Sequence, residues 1–150
     1  MFGNILTRVK ASVPRPDVET QKARRPILIV DDEPGVLLLA RRILERAGYS
    51  VLEARDGGEA MALMTANVQL EMLVSDVNMP GLSGDEVARQ IRTYQPDLKC
   101  LFLSGFVDQL FEKRPYLWEG EAFLEKPFTR KALLEAVSLL LHDRLDPIHG

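Results

Sequence analysis

Five short, mostly apolar runs, at 27–30, 50–54, 70–75, 99–103 and 122–125, alternate with stretches patterned for helices. The first helical stretch carries Pro34 in its first turn, where the missing N–H costs nothing, and Gly48 just past its end. Val36, Ala40, Ile43 and Ala47 make one face of it. Asp56-Gly57-Gly58-Glu59 reads as a capping box opening a second helix that ends near Asn67. Ser83-Gly84-Asp85-Glu86 reads the same way for a third, with Val87, Ile91 and Tyr94 as its buried stripe and Pro96 closing it. Residues 108–113 form a fourth helical candidate, cut short by Pro115, so a short or irregular helix is expected there. Thr129 caps a final helix whose Leu133, Val137 and Leu140 recur at helical spacing. Strands and helices alternating at this length predict an α/β fold with a parallel sheet and helices on both faces.

Two of the apolar runs end abruptly on acids. Ile27-Leu28-Ile29-Val30 runs into Asp31-Asp32, and Val74-Ser75 into Asp76, which Pro80, Gly81 and Gly84 follow. Both acidic positions therefore fall at the C-terminal ends of predicted strands, the edge where open α/β sheets bind ligands.

Charge divides the chain. The formal net charge is −3, but residues 1–25 hold six basic groups against Asp17 and Glu19, a net +4, which leaves −7 for the remainder. An acidic body excludes a general nucleic-acid binder. The first 25 residues, with Pro14 and Pro16, read as a basic leader or linker, although Phe2, Ile5, Leu6 and Val9 follow the spacing of a short amphipathic helix. Residues 26–142 read as one domain and 143–150 as a tail. Cys100 is the only cysteine, placed as a small core residue, so no intrachain disulfide is available. His142 and His149 lack metal-ligand spacing. No apolar run has the length of a membrane span, and the N-terminus lacks a secretion signal, from which a cytoplasmic location is expected.

Asp31-Asp32-Glu33, Asp76 with Met79-Pro80-Gly81, Ser104-Gly105 and Lys126-Pro127-Phe128, taken together, resemble the receiver domain of two-component response regulators. No piece is specific alone, but their order, each at a predicted strand end, is. The resemblance covers roughly residues 26–142 and implies a doubly wound, flavodoxin-like five-stranded parallel sheet of order 2-1-3-4-5.

That order makes strands 1 and 3 neighbours, so Asp31, Asp32 and Asp76 would converge. Three such carboxylates repel unless a cation intervenes, and Mg²⁺ suits an all-oxygen site that also takes phosphate. With Lys126 entering from strand 5, three acids, a divalent ion and one lysine sum to zero. By resemblance, Asp76 is the phosphoacceptor for a histidine kinase or phosphotransfer protein. Asp32, Asp76 and the Asn78 backbone carbonyl would hold Mg²⁺, with Asp31 acting through water. Lys126 and Ser104 would contact the phosphoryl oxygens, and the Asn78 side chain would tune the lifetime of the acyl phosphate. Ser104 and Phe123 would form the switch, Phe123 filling space without a hydroxyl. Tyr116 and Trp118 would either cover a shortened fourth helix or bind a partner.

The expected role is a signalling receiver rather than an enzyme, switching a downstream protein in trans, with homodimerisation left open. No output domain is expected, because the sequence ends soon after the last helix. Ser104-Gly105-Phe106 also resembles receivers of hybrid histidine kinases. A competing class is a Mg²⁺-dependent phosphatase or phosphotransferase with an aspartyl nucleophile. Those enzymes carry a second acid two residues on, where this chain has Asn78.

Overall fold

The computed structural model describes residues 25–105 and 120–142. Five strands, β1 (Ile27–Val30), β2 (Val51–Ala54), β3 (Met72–Asp76), β4 (Lys99–Ser104) and β5 (Glu121–Glu125), alternate with four helices, α1 (Pro34–Arg46), α2 (Gly57–Thr65), α3 (Gly84–Arg92) and α4 (Arg130–His142). The strands form one parallel sheet in the order β2-β1-β3-β4-β5, as the family resemblance implied. The expected fourth helix at 108–113, and Tyr116 and Trp118, lie outside the described residues, as do the leader and the tail.

Alternation along the strands divides the core in two. Leu28, Val30, Leu73, Cys100 and Phe102 face α2 and α3, where Ala60, Met64, Val87, Ala88 and Ile91 cover them. Ile27, Ile29, Met72, Val74, Leu101 and Leu103 face the other way, under Leu37, Ala40, Ile43 and Leu44 of α1 and Leu133, Val137 and Leu140 of α4. Every residue of β1 is fully buried, as a strand covered on both faces requires. Cys100 is buried, as expected. Among the described residues no helix is long and apolar enough to cross a membrane.

The helix ends follow local chemistry. Asp56 accepts from the Glu59 amide and Ser83 from the Glu86 amide, and Thr129 Oγ1 accepts from the Ala132 amide at 3.1 Å. Helix α1 closes with Gly48 in the left-handed region, φ 99°. Tyr49 donates to the Leu44 carbonyl and Gly48 to that of Glu45, both at 3.0 Å, which is a Schellman motif. Helix α2, whose last residue is Thr65, closes in the same way on Asn67, φ 63°, near where its end was expected.

Two expected faces are corrected. Ala47 is the exposed C-cap of α1, and the buried stripe is Leu37, Ala40, Ile43 and Leu44. Tyr94 is 64% exposed, because α3 ends at Arg92 and the chain turns. The Gln95 side chain points inward in its stead, donating to the Val68 carbonyl and accepting from the Leu70 amide, both at 2.9 Å. The strand limits also move: β3 begins at Met72 rather than at 70, and β4 runs to Ser104 rather than to 103.

Gly84, at the start of α3, lies against the backbone carbonyl of Asp76, where an added Cβ would collide with a peptide oxygen. The Gly84→Ala variant is expected to lose about 2 kcal/mol of stability in urea unfolding, the range for forcing extra volume into a packed site. An unchanged unfolding midpoint would show that the loop after Asp76 yields freely.

Candidate functional site

The sheet delivers its acids and its lysine to one edge, and hydrogen bonds continuing past the strand ends fix each backbone there. Asp31 donates its amide to the Ala54 carbonyl at 3.2 Å, Val77 to Leu103 at 3.0 Å and Lys126 to Ser104 at 2.9 Å. Because β1 and β3 are neighbours whose following helices lie on opposite faces, this edge is the topological switch point of the sheet.

Asp31, Asp32 and Asp76 each place a carboxylate oxygen within 4.8 Å of the others. Asp31 is fully buried and Asp76 is 6% exposed, whereas Asp32 is exposed. Lys126 enters from the end of β5 with Nζ 2.8 Å from Asp31 Oδ2 and 3.5 Å from Asp76 Oδ2. It also hydrogen-bonds Glu33 Oε1 at 2.8 Å. The Glu33 amide donates to Asp31 Oδ1 at 2.9 Å, and the Asn78 amide approaches Asp76 Oδ1 at 3.4 Å.

Burial pushes the Asp76 carboxyl up to about 6, and the Asp31 charge beside it adds to the shift; Lys126 and the Asn78 amide oppose it. Burial likewise raises Asp31, against the pull of Lys126. For Lys126, burial alone would depress the ammonium, but its close contacts with the Asp31 and Glu33 carboxylates outweigh that and raise it. Glu33 is held below the usual carboxylate range by Lys126.

The residues fit a hard divalent cation. The donors are all carboxylate oxygens, the set that suits Mg²⁺ or Ca²⁺ rather than a thiolate-seeking metal. Asp31 Oδ2, buried beside an ion-paired lysine, accepts no well-directed hydrogen bond among the described residues, although buried oxygens normally have one.

Ser104 closes β4 and is 1% exposed; the register sets Asp76 opposite Leu103, so Ser104 lies one residue further along the same edge. Phe123 is half-buried on β5 opposite Phe102, with ring centroids 5.3 Å apart and planes tilted by 31°. Asn78 is exposed in the loop after β3. Glu33 belongs to the motif that carries the family resemblance, but the sequence suggested no role for it in the site. Its signal was a glutamate at the N-cap of α1, where Ser, Thr, Asp or Asn is favoured; the side chain caps nothing and reaches Lys126 instead. Glu33 also corrects the charge sum, because a fourth acid shares the one lysine.

A family model for the response regulator receiver domain matches residues 27–138. The chain belongs to that family. Over 125 residues this receiver is 42% identical to the response regulator MprA of a Mycobacterium species, covering 83% of the chain and 53% of that protein. Over 116 residues it is 35% identical to the sensor kinase CckA of Brucella abortus, covering 77% of the chain and 12% of the kinase. The receiver thus spans about half of one relative and about an eighth of the other. Among solved structures it is similar to the response regulator TrrA of Thermotoga maritima in complex with Mg²⁺ and BeF. That match has 32% identity and a TM-score of 0.66, covering 78% of this chain and 99% of that one.

The raised Asp76 carboxyl has a consequence for stability. Between the ordinary carboxyl value near 4 and about 6 the native state holds a proton that the unfolded chain has lost, so metal-free stability falls as pH rises through that window. Above it the penalty is complete. In metal-free buffer at pH 7.5, Asp76→Asn is expected to be about 2 kcal/mol more stable than wild type, a gain that fades toward pH 4. Thermal unfolding across pH measures this, and a variant no more stable than wild type at pH 7.5 would contradict it.

Proposed function

We propose that this receiver accepts a phosphoryl group on Asp76 from the phosphohistidine of a histidine kinase or phosphotransfer protein. The resulting acyl phosphate changes binding to a downstream protein. The observation that carries this reading is the convergence of Asp31, Asp32 and Asp76 on one lysine at the switch point of the sheet.

At neutral pH the Asp76 carboxyl, titrating near 6, is mostly ionised and nucleophilic. A carboxylate oxygen attacks phosphorus, the P–N bond breaks, and the donor imidazole leaves. Such a step needs alignment and charge neutralisation more than acid–base work. Asp32, Asp76 and the Asn78 backbone carbonyl would hold Mg²⁺, with Asp31 through water. When bound, the ion supplies positive charge to the phosphoryl oxygens. The Lys126 ammonium pairs with one phosphoryl oxygen and the Ser104 hydroxyl donates to another. The exposed side chain of Asn78 stands where a hydrolytic water would approach and tunes the lifetime of the acyl phosphate.

Signalling follows from movement of Ser104 toward the phosphoryl group and repacking of Phe123, whose ring now rests on Phe102. Lacking a hydroxyl, Phe123 relies on packing alone. The absence of an acid at position 78 disfavours an aspartyl phosphatase, so the protein acts on phosphate only through its own Asp76. Likeness to a sensor kinase also supports service as the receiver portion of a hybrid kinase, and either role is cytoplasmic.

Incubation with acetyl phosphate and Mg²⁺ is expected to label wild type, with the label lost in Asp76→Asn and with chelator. Equal labelling of the variant would overturn the assignment, and rapid turnover of a phosphoester substrate would favour a phosphatase. Lys126→Ala is expected to keep Mg²⁺ binding by calorimetry while losing the switch. With Mg²⁺ and beryllofluoride, the amide resonances of Ser104 and Phe123 shift in wild type but stay near their starting positions in this variant. Wild-type shifts in Lys126→Ala would remove the lysine from the switch.

A further inference from the structure

Lys126 is shared unevenly. Its Nζ lies 2.8 Å from both Asp31 Oδ2 and Glu33 Oε1, yet the better-directed hydrogen bond goes to Glu33, while Asp31 Oδ2, though ion-paired, accepts no well-directed one among the described residues and Asp76 Oδ2 is 3.5 Å away. Glu33 occupies the N-cap of α1, the place where a side chain usually serves its own helix, and makes no capping bond there. Its backbone is anchored to the site, since the Glu33 amide donates to Asp31 Oδ1 at 2.9 Å and the Glu33 carbonyl accepts from Val36 and Leu37. A fixed backbone with a side chain reaching across to β5 makes a tether of defined length.

We propose that Glu33 is a positioning residue for Lys126, resting on the phosphoacceptor reading above. It takes a share of the ammonium in the unphosphorylated protein, weakening its hold on Asp31 and keeping it 3.5 Å from Asp76 Oδ2. Two effects follow, of opposite sign. Asp31 and Asp76 stay more open to a metal ion than they would beside an untethered lysine. The same tether competes with an incoming phosphoryl oxygen for the lysine's donors, and so slows acceptance of the phosphoryl group. Glu33 thereby sets how readily the site charges, without touching phosphorus.

Two variants separate contact from charge. Glu33→Asp keeps the negative charge but is one methylene shorter and better suited to capping its own helix; Glu33→Gln keeps the length and loses the charge. Both are expected to bind Mg²⁺ about two- to fivefold more weakly by calorimetry, and to take label from acetyl phosphate about two- to fivefold faster at saturating Mg²⁺. That is the scale of an ion pair half in water. In a Lys126→Ala background the effects of Glu33→Asp are expected to vanish. If both variants match wild type in Mg²⁺ affinity and labelling rate, or if Glu33→Asp acts at full size without Lys126, the proposal fails. A wild-type protein that takes no label refutes the phosphoacceptor reading and leaves the Mg²⁺ measurements to decide the role of Glu33.

Discussion

Two carboxylates withdrawn from water side by side, with a single ammonium between them, are the constraint on which the rest of this molecule depends. Asp31 and Asp76 stand at the ends of neighbouring strands, burial makes both harder to ionise, and the Asp31 charge adds to that for Asp76. Such a pair costs free energy that the remainder of the fold must offset. The offset comes from a sheet covered on both faces by two separate apolar clusters, and from backbone hydrogen bonds that run one residue beyond β1, β3 and β5. Those bonds leave the acids little freedom to move apart, so the strain is relieved only by a positive charge. Lys126 supplies one, already claimed in part by Glu33. Oδ2 of Asp31, ion-paired with Lys126 but accepting no well-directed hydrogen bond among the described residues, marks where further positive charge is favoured.

The loop leaving Asp76 is held just as firmly. Gly84 lies against the Asp76 carbonyl, and a Cβ on Gly57 would come within 2.7 Å of Leu82 Cβ, so the starts of α2 and α3 both close on this loop. Val77 and Met79 are buried beneath it and the Gly84 amide donates to the Val77 carbonyl at 2.9 Å. Glycine stands at these two helix starts because backbone approaches backbone at Gly84 and the Leu82 and Val87 side chains at Gly57. The consequence reaches the chemistry, since a loop pressed from two sides keeps Asp76 and the Asn78 amide in fixed relation.

Much of this was legible in the chain because strand ends and acids coincide. An apolar run that stops at Asp31 or Asp76 states both where the strand ends and what it carries, and parallel strands bring those ends to one edge. Capping residues were equally readable at Asp56, Ser83 and Thr129, since a cap is a local bond. What could not be read depends on where the chain goes next. Tyr94 fits the stripe of α3 only if the helix continues; it stops, and an amide side chain able to satisfy two backbone groups at once takes the inner place. Glu33 was hidden for a related reason. Its partner lies 93 residues away, and nothing in its neighbourhood announces Lys126.

The position of Lys126 just past the end of β5 matters for how the site is held. Strands β1, β3 and β4 are flanked on both sides, whereas β5 pairs with β4 alone among the described strands, so it can shift with half the backbone hydrogen bonds at stake. At its entry, Glu121 is buried and pairs with Arg92 of α3 at 2.7 Å, and that guanidinium also donates to the Leu98 carbonyl. Removing either partner would strand a charge, so this end is pinned. At its exit, the Lys126 amide is held by the Ser104 carbonyl at 2.9 Å and its ammonium by Asp31, Glu33 and Asp76. Phe123 lies between these two anchored ends, its ring against Phe102, so β5 is held at its tips by polar contacts and at its middle by aromatic packing.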